Sequence, residues 1–182
     1  MWESNDVDAV DLLLHPVRIR VVHAFAGGRT LTTAELGEHL PDVPKTTLYR
    51  HVGILAGGGI LEVIREQRVH GAVERTYRLD RARTRITPED AATMTLDDHR
   101  HGFAAAMGAL LADFGAYLER PGADPVTDSV GYVQVPLWLS RAEIAEMVAE
   151  VRALLMDKAG NEPDGERRLY LLSPILFPID PS

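Results

Sequence analysis

Lys45, Thr46, Thr47, Tyr49 and Arg50 fall within one short run, PKTTLYRHVGIL, together with Leu48, Val52 and Leu55. At helical period the three apolar residues share one face (i, i+4, i+7), and Lys45, Thr46, Tyr49 and Arg50 turn away from it. Ammonium, hydroxyl, phenol and guanidinium groups side by side form a donor-rich surface suited to phosphate oxygens and base edges. A second donor set, Arg65, Arg68 and His70, follows on a segment of strand period. It suits contacts to a phosphate backbone or a minor groove.

Other chemistry is tempting in places and incomplete in each. Asp97, Asp98, His99 and His101 cluster on one predicted helix in the manner of a metal half-site. Eleven residues beyond His99 stands Leu110, and only Asp113 is placed to add a ligand, so the set predicts no metal. His23, His39 and His51 share no ligand spacing and are expected to pack or cap. No nucleophile–base pair and no phosphate-cradling glycine loop is present, so neither an enzyme nor a cofactor is expected. Gly57–Gly59 reads as a helix stop.

The elements that must carry these groups follow from period and breakers. Val7–His15 reads as a first helix, with Asp6, Asp8 and Asp11 near its positive end. Pro16 opens a second helix, Val17–Ala26, with Ile19, Val22 and Phe25 (and Val21) as core. Thr32 to Glu35 is a capping box before a short helix, Thr33–Leu40. The donor-bearing helix follows the break at Pro41–Pro44, and the period then drops to that of strands at Ile60–Arg65 and Glu74–Leu79. Helix, turn, helix and hairpin in this order predict a winged helix-turn-helix, whose second helix enters a DNA major groove.

The same residues resemble the DNA-binding domain of ArsR-type bacterial repressors. The resemblance rests on Leu14, His15, Pro16, Arg18 and Ile19, then on Thr46, Thr47, Leu48, Arg50, His51, Val52, Leu55, Gly59 and Ile60, and on Tyr77 to Leu79. It spans residues 12–79. It implies a transcriptional repressor that works as a homodimer, pairing largely through terminal helices. It also implies that His51 faces inward and is no base reader.

Beyond the basic connector Arg81–Arg85, Thr87-Pro88-Glu89-Asp90 caps a predicted long helix to about Glu119. Phe103, Met107, Leu110 and Phe114 alternate four and three apart along it, the spacing of a seam between helices. Small residues, Ala104–Ala106, Gly108, Ala109, Gly115 and Ala116, thin its other faces for close approach. After the Pro/Gly/Asp linker 121–128, alternation predicts a strand at Val130–Leu139. A capping box at Ser140–Glu143 opens a helix to about Lys158, and a second strand is expected at Arg168–Leu172. Tyr132, Trp138, Tyr170 and Phe177 are candidates to line a small-molecule pocket or to form core there.

The expected fold is therefore α+β and mainly helical. It divides into a DNA-binding domain (1–86), a dimerisation helix (87–120) and a strand-helix-strand extension (121–182) for an effector or for dimerisation. The net charge of −8 is unevenly divided: residues 15–85 hold 12 Lys+Arg against 7 Asp+Glu (+5), and the rest carries −13. A basic head on an acidic body is the asymmetry expected of a nucleic-acid binder. Cysteine is absent, which excludes disulfides and thiolate metal sites. The acidic start MWESNDVDAV and the lack of any apolar run near the ~20 residues of a membrane helix predict a cytoplasmic protein with no membrane partner. The expected partners are double-stranded DNA, a second copy of the chain and a small non-metal effector. The rival readings are a winged-helix module for protein–protein assembly and a metal-responsive repressor.

Overall fold

The computed structural model describes residues 9–69, 71–84, 87–162 and 164–180. They divide into two compact units, residues 1–134 and 135–182. The expectations on Asp6–Asp8 and on His70 lie outside the described residues.

The first unit opens with α1 (Ala9–Leu13) and α2 (Pro16–Ala24). Pro16 sits at the first turn of α2, where its missing N–H has no intrahelical partner to lose. His15 caps it, accepting from the Val17 amide through Nδ1 at 3.2 Å. The helix stops two residues earlier than expected, and the buried face is Val21, Ala24 and Phe25. Ile19 and Val22, expected as core, are only partly buried.

After a 3-10 turn at Ala26–Gly28 comes a strand that period could not reveal, β1 (Thr30–Thr32). Three residues are too short to show alternation. Leu31 is drawn in because Tyr77 lies opposite it in the sheet. α3 (Thr33–His39) follows, capped reciprocally by Thr32 and Glu35 as expected. Then come α4 (Lys45–Gly57), β2 (Leu61–Val69) and β3 (Ala72–Leu79). The sheet order is β1-β3-β2, all antiparallel. The register runs from Leu61 opposite Leu79 to Val69 opposite Ala72, with an irregularity between Val63 and Arg65.

The core lies between the helices and the sheet, with Phe25, Leu36, Leu48, Leu55, Ile60 and Leu61 the largest fully buried side chains. The end of α4 fixes where the hairpin begins. The Ile60 amide reaches back to the Leu55 carbonyl at 2.9 Å and the Gly59 amide to that of Ala56 at 3.1 Å. Gly59 between them has φ +73°. This is a Schellman stop, with Leu55 and Ile60 on either side of it both buried in the same core cluster.

The predicted helix over 87–119 is two helices. α5 (Pro88–Thr93) ends at Met94, whose backbone is extended, and α6 (Leu96–Leu118) starts afresh at Thr95. The physical reason is a second capping box. Asp98 accepts from the Thr95 amide at 2.8 Å and from its hydroxyl at 2.6 Å, while the Thr95 hydroxyl takes the Asp98 amide. α6 packs against α2. Ala105 and Ala109 are buried, Gly102 lies against Leu14, and Gly108 against Pro16. Ala105, Gly108 and Ala109 thus receive a helix of the same chain, while Ala104 is exposed and Gly115 has nothing within 4 Å. Phe103, Met107, Leu110 and Phe114 lie on nearly the opposite side of α6 from Ala105 and Ala109 and are half-buried or exposed.

The second unit contains α7 (Arg141–Ala159), opened by the Ser140–Glu143 capping box as expected. Neither expected strand forms: residues 130–139 and 168–172 have no ladder partner. Alternation supplies a face and not a partner, and a strand exists only by pairing. No described residue of this unit is buried.

The Schellman stop yields a stability test. Gly59→Ala would place a Cβ in left-handed backbone and against the Arg83 guanidinium, whereas Gly57 has nothing within 4 Å. Urea denaturation should show a loss of about 1 kcal/mol for Gly59→Ala and no loss for Gly57→Ala.

Candidate nucleic-acid interface

α4 presents two opposite chemistries. Leu48, Val52 and Leu55 are at most 1% exposed, whereas Tyr49 is 60% exposed. Lys45, Thr46 and Arg50 are exposed as well, and Thr47 is half-buried at the edge of that face. The helix begins at Pro44 with no side-chain cap, while α3, α5, α6 and α7 each begin with a reciprocal box. Its first amides therefore keep their hydrogen-bonding capacity and the positive end of the helix dipole beside Lys45 and Thr46. All five donors expected on this helix are on one element, four of them fully at the surface.

The hairpin divides its cations into held and unheld. Arg75 bonds Glu66 at 2.7 Å and Arg78 bonds Glu62 at 2.8 Å, each pair directly opposed across the ladder. Gln67 donates to Glu74 at 2.7 Å in the same way. Arg75 is thus partnered within the sheet. Among the described residues Arg65 and Arg68 are exposed on β2 with no carboxylate partner, so the charge of this strand is open there. His70 lies outside the described residues.

Behind the exposed face of α4 lies a cluster that sequence reading underrated. His51 is 2% exposed, and its ring stands 4.3 Å from that of His15. Arg50 reaches back to His51 Nε2 at 3.3 Å. With Nε2 accepting, the proton sits on Nδ1, which is buried without a partner, as is Arg18 Nε. Burial, then the charges of His15, Arg50 and Arg18, push His51 down to about 4. Burial, Arg18 and Arg50 also lower His15. His51 is therefore neutral at pH 7 and faces inward, as the family resemblance implied. His39 and His23 are bonded within the fold as well. His39 binds the Glu35 carbonyl at 2.9 Å, and His23 binds Asp113 at 3.1 Å.

A buried charge, Arg20, escaped sequence reading altogether. It is 3% exposed and bonds Asp42 through both terminal nitrogens, at 2.6 and 2.8 Å, and Asp113 through Nε at 2.6 Å. Hydrogen bonding to Asp42 raises Arg20 against the cost of burial, and Arg20 in turn lowers Asp42. Burial works to raise Asp113, but the hydrogen bonds from His23 and Arg20 outweigh it and hold the carboxyl low. The only signal in the sequence was a charged residue among the apolar Val17, Val21 and Ala24, and it gains meaning once α6 is known to pack there.

The carboxylates near the helix start are committed to local work. Asp98 caps α6, and Asp97 holds Arg100 at 2.6 Å and His101 at 3.3 Å. Among the described residues no group of three or more His, Asp or Glu is arranged to hold a metal ion.

Residues 13–64 match the family model described as a helix-turn-helix domain. The match begins in α1 and ends within β2, so it covers the two-helix motif and the start of the hairpin. No curated protein matches the chain. Fold and match together define the class: a helix-turn-helix domain with a small antiparallel sheet, of the kind found in DNA-binding transcriptional regulators. No helix among the described residues is long and apolar enough to cross a membrane.

The buried histidine makes stability depend on pH in a defined window. The unfolded chain takes a proton on His51 near the ordinary value of 6.5, and the folded chain refuses it until about 4. Stability is thus full above about pH 6.5 and falls as pH drops through that window, by on the order of 2 kcal/mol for His51. The His15 shift acts in the same direction. Denaturant midpoints measured from pH 7.5 to 4.5 should show a clearly smaller slope for His51→Gln than for the wild type.

Proposed function

We propose that the protein is a dimeric, sequence-specific DNA-binding transcriptional regulator of the ArsR type, acting as a repressor. The observation that carries this reading is the two-sidedness of α4, with Leu48, Val52 and Leu55 locked in the core and Lys45, Thr46, Tyr49 and Arg50 displayed together. Thr47 borders that face. In this reading α4 lies in a major groove, its donors read base edges, and Arg65 and Arg68 meet phosphates. The +5 charge of residues 15–85 supports it, since backbone contacts supply most of the affinity.

The dimer is proposed on two grounds. Met107 and Leu110 are half-buried on the side of α6 away from Ala105 and Ala109, with Leu111 beside them 74% exposed. Phe114 continues that line and meets the rings of Tyr117 and Tyr132. The second unit exposes Val148, Leu154, Leu169 and Tyr170, and none of its described residues is buried. A second copy would cover both surfaces. Residues 121–182 would then serve dimerisation or accept a small non-metal effector. No enzymatic role is proposed. A metal-responsive repressor is the weaker reading, because Asp98 and Asp113 are already bonded to Thr95 and to Arg20 and His23. An assembly module that does not bind DNA would leave the bare donors of α4 unexplained.

Arg50 and Arg68 should separate the two kinds of contact. On selected DNA, Arg50→Ala should cost about 1–3 kcal/mol, and much less on random DNA, flattening specificity. Arg68→Ala should weaken both DNAs alike and reduce the salt slope by about one unit. Titrations of each variant on two DNAs at several salt concentrations read both effects. Equal losses on the two DNAs for Arg50→Ala would make it a phosphate contact, and no loss in either variant would overturn the DNA-binding reading.

A further inference from the structure

The guanidinium of Arg20 is shared by carboxylates from two different elements. Asp42 lies in the turn between α3 and α4, immediately before Val43, whose amide donates to the Leu40 carbonyl at 3.0 Å. Asp113 lies on α6, the helix whose Ala105 and Ala109 are buried against the domain. Both oxygens of Asp42 are engaged by the terminal nitrogens of Arg20, and Nε is engaged by Asp113. The second oxygen of Asp113 faces His23 Nδ1 at 3.1 Å. A guanidinium is planar and rigid, so bonds made through all three of its nitrogens fix the directions of both carboxylates relative to one plane. A sliding or rotation of α6 that carries Asp113 away leaves a buried cation short of an acceptor. The side chain then has to follow Asp113 or lean further on Asp42. Either response acts on the turn from which α4 starts.

We propose that Arg20 is a positioning residue that couples α6 to the DNA-facing helix α4, so that displacement of Asp113 is passed through Arg20 to Asp42 and the turn. Its structural part stands on the geometry alone, and its consequence for DNA rests on the functional reading above. A dimer partner or an effector acting on α6 would change DNA affinity by this route with no contact of its own to α4. The device is a shared cation between two carboxylates, and it works only if the two ends answer each other.

The test uses the full chain with Asp113→Asn, Asp42→Asn and the double variant, since Asn keeps the shape and removes the charge. Hydrogen exchange is the first readout. In Asp113→Asn the Val43 amide should exchange about tenfold faster while amides of β2 stay as in the wild type. A brace confined to the contact of α2 with α6 would speed exchange in those helices and leave the turn unchanged, which would overturn the proposal. Should Asp113→Asn fail to fold, Arg20→Lys keeps the charge without the fork and should show the same acceleration at Val43; an unchanged turn there overturns it equally. DNA affinity is the second readout. Each single variant should lose about tenfold and the double variant no more than the larger single loss, because both act through one group. Losses that multiply in the double variant would mean independent effects and overturn the coupling. If the wild type retains no DNA, the functional reading fails, and exchange at Val43 alone decides the coupling.

Discussion

The guanidinium of Arg20, a charge held at 3% exposure, ties α2, α6 and the turn before α4 together. Burying a cation is tolerated only when its hydrogen bonds are met, and Arg20 meets them with Asp42 and Asp113. Removing one partner of a fully buried pair costs ~3–5 kcal/mol. Here the figure is smaller, because Asp42 is 42% exposed and Asp113 24%. The three groups come from α2, from the turn before α4 and from α6, so the interaction requires all three elements to be in place at once. The apolar core could accommodate small slides of α6 over Ala105 and Ala109. The ion pairs tolerate them far less, because their strength depends on direction.

Where local chemistry decided the outcome, the sequence was sufficient. Thr32–Glu35 and Ser140–Glu143 announced helix starts because a hydroxyl and a carboxylate three residues apart satisfy each other's backbone. Gly57–Gly59 announced a stop because Gly59 must adopt positive φ. The apolar stripe of α4 was readable for the same reason: Leu48, Val52 and Leu55 sit one helical turn apart and are all buried. The donor face was legible as its complement, although Thr47 proved half-buried.

What needed a partner was not legible. β1 forms because Leu31 meets Tyr77 from a segment over forty residues later. The alternation at 130–139 and 168–172 looked equally strand-like and met no partner. The small residues of α6 were readable as a close-approach face, but nothing local said that the approaching helix was α2 of the same chain. Thr95 and Asp98 were a readable box hidden inside a longer helical pattern, and they broke it. Arg20, Asp42 and Asp113 lie far apart in sequence, and no period links them. Their role exists only in the folded arrangement.

The proposed function makes the donors of α4 and the exposed Arg65 and Arg68 the contact surface of a two-fold DNA complex. The most direct measurement is retention of genomic DNA fragments by the full chain, followed by hydroxyl-radical footprinting and stoichiometry on the retained sequence. Two chains per duplex are expected, with two protected half-sites about one helical turn or a multiple of it apart and affinity that falls steeply with salt. No retained fragment even at low salt would contradict the proposed function.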